Sequence, residues 1–279
     1  MQTIYASHAA IPPFRLLRPR RALEAAAAKA DLGAEAHYLA GGVDLVPALR
    51  AGRPVSALVV LAGLESFDAI ERASGTLRLG AGLSYAEVAA SAEIRASVPD
   101  FAAAFAGVAN VRVRHVATLG GNVMSRNPVY DLLPALLALD ARLVFLDRQG
   151  REEAVDGRDG HLPGGLLTRI EIPLPAERRF LLERAYKPVI SLAVAIERSG
   201  AKLAGRAALG CAHAWPVALP LDLGNARDFR ALAAGAGEAA LQFAARLPEP
   251  LGDLAASADY RRTLAGVLLR RALERLARG

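Results

Sequence analysis

The sequence predicts an α+β protein in two parts, residues 1–176 and a C-terminal α+β domain over 177–279. Two observations support this prediction. Strand-length apolar runs and helix-forming runs both occur throughout the chain. The prolines of Pro173-Leu174-Pro175, followed at once by the charged run Glu177-Arg178-Arg179, mark the strongest break between elements.

The first part begins with a strand, a helix and a strand. The helix-forming run over 21–29 ends at Leu32-Gly33, where glycine favours termination. Further on, Glu87 stands three residues after Ser84, the spacing of a capping box at a helix start. The pattern predicts helices over 19–31, 46–50, 99–108 and 131–139, and strands over 37–40, 57–61, 70–73, 77–79, 142–147 and 166–172.

The C-terminal domain is predicted from three strand-like runs followed by two helical ones. Apolar residues of the last helical run recur on one face, and arginines on the other, as in an amphipathic helix. The expected strands cover 181–186, 191–197 and 203–211, and the expected helices cover 231–245 and 260–277.

Composition excludes several classes of function. The 279 residues are 53% hydrophobic and 22% charged, which is ordinary for a folded globular protein. Aromatic residues are only 5% and do not alternate with basic ones, so the net charge of +6 does not indicate a nucleic-acid-binding platform. No apolar run reaches the 18 or more residues of a membrane span, and no signal peptide is recognisable. We therefore expect a cytoplasmic protein without membrane insertion.

The cysteine and histidine content of the sequence does not indicate a disulfide, a cluster or a metal site. The single cysteine, Cys211, excludes an internal disulfide and a four-cysteine iron–sulfur cluster built from this chain alone. The five histidines show no metal-ligand spacing, so we predict no metal site. Of them, His115 stands three residues before Thr118 and is a candidate to line a site.

Two glycine pairs are the strongest candidates for ligand binding. Gly41-Gly42 and Gly120-Gly121 each follow an apolar run and precede small or polar residues. Successive glycines allow backbone N–H groups to converge on an anion, and two such loops would suit a diphosphate. A single pair is more often only a tight turn. Neither a complete dinucleotide fingerprint at Gly80-Ala81-Gly82 nor a P-loop is present.

The residues around these glycines resemble the FAD-binding medium subunit of the molybdenum hydroxylases, the family of xanthine dehydrogenase and carbon monoxide dehydrogenase. The resemblance extends nearly end to end. It includes Leu39-Ala40-Gly41-Gly42-Val43-Asp44-Leu45, Leu79-Gly80-Ala81-Gly82, Val113-Arg114-His115-Val116-Ala117-Thr118-Leu119-Gly120-Gly121-Asn122, Pro134-Ala135-Leu136-Leu137-Ala138-Leu139-Asp140-Ala141, Ile170-Glu171-Ile172-Pro173 and Tyr260-Arg261-Arg262-Thr263-Leu264-Ala265.

The resemblance implies two subdomains that hold FAD between them, over about 1–55 and 56–176. It also implies a C-terminal domain with a three-stranded antiparallel sheet and helices. The two glycine loops would bind the diphosphate, and further residues would border the flavin or contact the cofactor. By position, the implied cofactor-binding residues are Tyr38, Leu39, Ala40, Gly41, Gly42, Val43, Asp44, Leu45, Val108, Thr118, Leu119, Gly120, Gly121, Asn122, Asp131, Leu167 and Lys187.

The sequence departs from the family pattern at three places. Val43 replaces a common threonine, so a hydroxyl contact is lost there. His115 stands where asparagine is frequent, and the segment after Lys187 lacks the paired arginines of many relatives. These departures affect the expected roles of His115 and Lys187 as hydrogen-bond donors that would tune the flavin potential.

The function implied by the resemblance is electron transfer. Electrons would pass from [2Fe–2S] clusters on a small subunit to FAD on this chain, and then to NAD, oxygen or a quinone. A molybdopterin large subunit would hydroxylate the substrate, so no acid–base residue is expected here. Two alternatives remain: a stand-alone FAD-dependent oxidoreductase of a related fold, and a partner-binding protein that has lost the cofactor.

Overall fold

A computed structural model describes residues 10–184 and 189–278. In this part of the chain there are three β-sheets of three, five and four strands, with helices packed against them. The predicted α+β class is therefore confirmed. The predicted boundary at residue 176 falls between strands that belong to different sheets.

The first sheet is small and parallel, with its middle strand last in sequence. All four residues of that strand are buried, because β1 and β2 flank it and other elements pack on both faces of the sheet. This strand lies beyond residue 55, so the first sheet extends past the expected subdomain limit. Its elements are β1 (Arg15–Leu17), α1 (Ala22–Leu32), β2 (Ala36–Leu39), α2 (Leu45–Arg50) and β3 (Ala57–Val60), in the strand order β1-β3-β2.

The second sheet is antiparallel and has five strands. The predicted hairpin at Ser74-Gly75 is confirmed, with both turn residues at positive φ. The sequence missed one strand, Glu152–Val155, because its residues are mostly exposed and carry no apolar alternation. The strands are β4 (Ile70–Ala73), β5 (Thr76–Gly80), β6 (Arg142–Leu146), β7 (Glu152–Val155) and β8 (Leu166–Pro173), in the order β4-β5-β8-β6-β7.

Six short helices connect β5 to β6. The predicted capping box is present: Ser84 N–H donates to Glu87 Oε2 at 2.7 Å, and Glu87 N–H donates to Ser84 Oγ at 3.2 Å. The last of these helices is buried along its whole length. The helices are α3 (Tyr85–Ala90), α4 (Ala92–Ser97), α5 (Pro99–Ala106), α6 (Val111–Val116), α7 (Leu119–Ser125) and α8 (Leu132–Ala138).

The C-terminal sheet is antiparallel and packs between two layers of helices. Its strand β10 (Ser191–Ser199) is apolar on both faces: Ala193 and Ala195 join the core around α8, whereas Leu192 and Val194 face the C-terminal helices. The other elements are β9 (Arg178–Arg184), β11 (Lys202–Gly210), β12 (Val217–Leu221), α9 (Leu232–Arg246) and α10 (Ala258–Arg278), in the strand order β12-β11-β10-β9.

The expected antiparallel sheet with helices is confirmed, and it contains one strand more than the three expected. The additional strand, β12, includes Pro220. A proline donates no N–H to a ladder, so the sequence did not indicate a strand there. β12 is an edge strand, where a missing donor is tolerated. Within the described ranges, no helix is long and apolar enough to cross a membrane.

Candidate functional site

The first glycine pair forms a loop between β2 and α2. Gly42 has a φ of +69°, a left-handed conformation that favours glycine. A Cβ atom on Gly41 would lie 1.6 Å from the carbonyl oxygen of Val116, so only glycine fits there. Within residues 10–184 and 189–278, the N–H groups from Gly41 to Asp44 donate to no protein acceptor. These N–H groups are therefore available to an anionic ligand.

The second glycine pair lies in a helix, which corrects the expectation of a second loop of free N–H groups. Leu119 N–H donates to Leu83 O at 2.9 Å, and Gly120 N–H donates to Ala81 O at 2.8 Å. Gly121 N–H donates to Thr118 Oγ1 at 3.1 Å, which caps α7. The turn between β5 and α3 thus accepts the N–H groups of Leu119 and Gly120, and Thr118 accepts that of Gly121, although the sequence had assigned these groups to phosphate.

A single cavity brings most of the predicted residues together. Its volume is about 620 Å³, within the range of small-molecule and cofactor sites. Fourteen of the seventeen residues implied by the resemblance line it: Tyr38, Ala40, Gly41, Gly42, Val43, Asp44, Leu45, Val108, Thr118, Gly120, Gly121, Asn122, Asp131 and Leu167.

Of the three remaining predicted residues, two do not line the cavity. Leu39 packs against a small core beneath α2, and Leu119 is fully buried in the main core. Both alternate with residues that do face the cavity, so their backbones still shape its wall. Lys187 lies outside the described residues.

Two buried polar atoms of the cavity wall have no hydrogen-bond partner in the described part of the chain. They are the hydroxyl oxygen of Tyr38 and the side-chain oxygen of Asn122. Burial raises the pKa of Tyr38 to about 12, so the hydroxyl remains protonated at neutral pH. Leaving such groups unpaired costs about 1–3 kcal/mol each, which a polar ligand would offset.

Asp131 and Arg184 form a charged pair at one side of the cavity. Burial raises the pKa of Asp131, opposed by a hydrogen bond from Ser191 and by the charge of Arg184. One Arg184 nitrogen lies 3.5 Å from Asp131 Oδ2, and the other donates to Gly107 O at 2.6 Å. Arg184 was not predicted from the sequence, because nothing local distinguishes it from the other arginines of β9.

Tyr130 and Asp44 connect two distant segments of the cavity wall. Tyr130 Oη donates to Asp44 Oδ1 at 2.6 Å, across 86 positions of sequence. Burial, with the neighbouring carboxylate of Asp44, raises the pKa of Tyr130 to about 12. Asp44 is among the predicted site residues and Tyr130 is not, although Tyr130 directly precedes Asp131 in the chain.

Three further basic residues line the cavity and were not predicted from the sequence. They are Lys29, His37 and Arg53. Lys29 Nζ donates to Gly33 O at 2.9 Å, and His37 Nε2 lies 2.8 Å from Pro54 O. By contrast, His115 is exposed on α6 and does not line the cavity. Among the described residues, no group of three or more metal-ligating side chains occurs.

A cavity walled by a parallel sheet, an antiparallel sheet and a glycine loop with free N–H groups defines a class of protein that binds a phosphorylated cofactor. The family model for the FAD binding domain in molybdopterin dehydrogenase matches residues 12–175, more than half of the chain. The chain therefore belongs to this family, as the resemblance predicted. It is an FAD-binding component of an oxidoreductase.

Relatives and solved structures agree with this family. The carbon monoxide dehydrogenase medium chain of Hydrogenophaga pseudoflava is 27% identical over 281 residues, which cover 94% of this chain and 97% of that protein. The structure of quinoline 2-oxidoreductase from Pseudomonas putida 86 matches with a TM-score of 0.80 and 26% identity, over 97% of this chain and 99% of that chain. A structure of Cu,Mo-CO dehydrogenase matches with a TM-score of 0.81 and 27% identity, over 96% of this chain and 99% of that chain. The chain is thus a medium subunit of the molybdenum hydroxylase type.

Proposed function

We propose that this chain carries electrons from [2Fe–2S] clusters on a small partner subunit, through FAD, to an external acceptor such as NAD, oxygen or a quinone. A large partner subunit would hold the molybdopterin cofactor and act on the substrate. The observation that supports this proposal is the cavity, whose wall combines free N–H groups with unpaired polar atoms. The end-to-end similarity to medium chains supports the assembly with two partners.

We place the FAD diphosphate at the loop from Gly41 to Asp44, where the N–H groups point to no protein acceptor. Thr118 and Asn122 face this loop from α7 and add side-chain contacts. The flavin then lies towards Val108 and Leu167, which offer apolar surface to a ring. Leu39 and Leu119 shape the wall from behind, and Asp131 lies beside the cofactor.

The chain's own residues position the cofactor and exclude water. FAD, when bound, supplies the redox chemistry, because it accepts two electrons and exchanges them with one-electron carriers. Arg184 is held by Gly107 O and faces the cavity, so its positive charge favours negative charge on the ring. Asp131 partly neutralises Arg184 and fixes its direction.

The experiment that tests cofactor placement is the variant Gly121→Val. A Cβ atom at Gly121 meets only the hydroxyl oxygen of Thr118 closer than 3 Å, so the fold should tolerate it. The branched side chain would enter the cavity, and we expect the chain to purify without FAD. The matched control is Gly237→Val, also an exposed helical glycine, where a Cβ atom meets nothing within 4 Å. A stoichiometric FAD content in Gly121→Val would contradict the placement.

The direction of electron flow needs the partner subunits. We would co-express the chain with its neighbouring genes, reduce the iron–sulfur clusters anaerobically, and follow the flavin absorption. Bleaching of the flavin together with reoxidation of the clusters is the expected result. Reduction of the isolated chain by a small organic donor, with no partner present, would instead favour a stand-alone oxidoreductase.

A further inference from the structure

Strands β9 and β10 place Ser191 beside Arg184, behind the wall of the cavity. The two residues are partners in the antiparallel register, so their side chains lie on one face of the sheet with Cβ atoms about 5 Å apart. Arg184 lines the cavity, whereas Ser191 does not and is only 1% exposed. A hydroxyl group that is buried to this degree needs hydrogen-bond partners within the protein.

The partners of the Ser191 hydroxyl come from two other segments of the chain. The hydroxyl donates to the carboxylate of Asp131, the residue directly before α8. Its oxygen also lies 3.8 Å from the sulfur atom of Cys211. Because the hydroxyl has one proton and gives it to the carboxylate, the thiol is the donor in the second contact. The two contacts together determine the direction of the hydroxyl.

The neighbour of Ser191 on the other side of the sheet leaves room for this hydroxyl. Gly210 of β11 is its register partner, and a Cβ atom on Gly210 would lie 2.5 Å from Ser191 Oγ. Any larger residue there would push the hydroxyl from its position. The glycine therefore keeps free the space that the hydroxyl occupies.

Asp131 is approached by donors from two neighbouring strands. An Arg184 nitrogen lies 3.5 Å from Asp131 Oδ2, while the other Arg184 nitrogen donates to Gly107 O at 2.6 Å. A charge-assisted hydrogen bond is ordinarily about 2.7–2.9 Å long, so the contact with Arg184 alone does not fix the carboxylate. The hydroxyl of Ser191 is the second group that holds it.

We propose that Ser191 is a positioning residue that holds the Asp131 carboxylate against Arg184 and thereby sets how much of the guanidinium charge reaches the flavin. The inference rests on the proposed function, in which FAD occupies the cavity that Asp131 and Arg184 line. An ionised Asp131 partly cancels the charge of Arg184, and a protonated Asp131 does not. Ser191 favours the ionised form, because its hydroxyl donates to the carboxylate.

The other ionisable groups that face Asp131 keep their charge while Asp131 titrates. They are the hydroxyl of Tyr85 in α3 and the thiol of Cys211. Burial raises the pKa of both groups, and the negative charge of Asp131 adds to the increase. Both groups are therefore neutral at neutral pH and below, and Arg184 is protonated throughout. A change in charge at this side of the cavity in acid is thus a change of Asp131.

The first measurement follows the charge of Asp131 on the full chain without cofactor. Infrared difference spectra against pH report the C=O band of a protonated carboxyl group, and Asp131→Asn identifies the band of this residue. Ser191→Ala removes one donor to the carboxylate, so the affinity of Asp131 for a proton should rise about tenfold. An unchanged titration of this band in Ser191→Ala would overturn the inference.

The second measurement is the midpoint potential of FAD bound to the full chain, determined spectroelectrochemically at several pH values. In Ser191→Ala, Asp131 takes up its proton at a higher pH than in the wild type. Between these two pH values, the variant should have the higher potential, because the charge of Arg184 is then less cancelled and favours the reduced flavin. At higher and lower pH the difference should shrink, since Asp131 has the same charge in both proteins. A difference that is equal at every pH would indicate a merely structural role and would also overturn the inference.

The matched control is Ser199→Ala, which alters an exposed serine at the other end of the same strand. It should leave both titrations as in the wild type, and a change as large as that in Ser191→Ala would contradict the inference. If Ser191→Ala does not fold, Ser191→Gly also removes the hydroxyl and adds no atom. A wild-type chain that binds no FAD would contradict the proposed function. With FAD bound, identical potentials in Ser191→Ala and the wild type at every pH would overturn this inference alone.

Discussion

The backbone of Gly41 lies against the carbonyl group of Val116, so closely that a Cβ atom on Gly41 would be 1.6 Å from the carbonyl oxygen. This contact joins the first glycine loop to the end of α6, directly before the second glycine motif. The first glycine loop thus meets the segment before the second motif through backbone atoms, 75 positions apart in the chain, because Gly41 carries no side chain at the point of contact.

Gly41→Ala should therefore destabilise the protein by about 3 kcal/mol or more, since backbone atoms must move apart to admit one methyl group. The free energy of unfolding, measured by urea denaturation of both proteins, tests this. The control is Gly235→Ala in α9, where a Cβ atom meets nothing within 4 Å. We expect that change to stabilise by about 0.5–1 kcal/mol, because alanine favours a helix. Equal stability of Gly41→Ala and the wild type would contradict this close contact between the two backbones.

Tyr130→Phe should accelerate the release of FAD. The variant removes the hydroxyl that donates to Asp44, and so detaches the first glycine loop from the segment before α8. We expect the dissociation rate to rise by about three- to tenfold, the effect of one partly exposed hydrogen bond. The rise in flavin fluorescence after a large dilution of the FAD-loaded protein gives this rate.

The matched control for Tyr130→Phe is Tyr260→Phe. Tyr260 is exposed, stands in the first turn of α10, and does not line the cavity. Its substitution should leave the rate as in the wild type. An unaltered rate in Tyr130→Phe would mean that the loop holds its position without this bond.

Arg184→Met should lower the midpoint potential of the bound flavin. The guanidinium faces the cavity, and its charge favours the reduced, more negative flavin. We expect a decrease of roughly 20–40 mV, equivalent to about 1–2 kcal/mol for a two-electron couple. A spectroelectrochemical titration measures the potential. Arg184→Lys keeps the positive charge, so its flavin potential should stay close to that of the wild type. A potential that moves equally in both variants would indicate a role in packing.

Acid should weaken the contact between Arg261 and Asp253. The buried Arg261 guanidinium donates to Asp253 Oδ2 at 2.7 Å and, with the N–H groups of Ala255 and Ala256, holds the pKa of that carboxyl below its usual 3.8. Because the pKa of Asp253 is lower in the folded state than in the unfolded state, its carboxylate stabilises the fold at pH values above the unfolded-state pKa. This stabilisation is lost as the pH falls through the folded-state pKa.

The corresponding measurement is the free energy of unfolding of the wild type and of Asp253→Asn between neutral pH and about pH 3. Asp253→Asn should be less stable at neutral pH, and the difference should shrink below about pH 4. A difference that stays constant over this range would show that ionisation of Asp253 does not contribute.

Local features of the sequence determined many of the elements. The Ser84 and Glu87 spacing produced the helix start that it predicted, because a capping box involves only neighbours in the chain. The apolar face of α10 is buried as its periodicity predicted, with Ala265, Leu269 and Ala272 in the core. The glycine pairs and the long family resemblance also located most of the cavity wall.

Only the tertiary structure decided how the second glycine motif is used and which distant residues complete the cavity. Thr118-Leu119-Gly120-Gly121 begins a helix rather than a loop, because Ala81 and Leu83 accept its N–H groups. His37, Tyr130 and Arg184 carry no local pattern that marks them, and each reaches the cavity through a different element. Periodicity and capping depend on residues a few positions apart, whereas a cavity depends on segments brought together by packing across the whole chain.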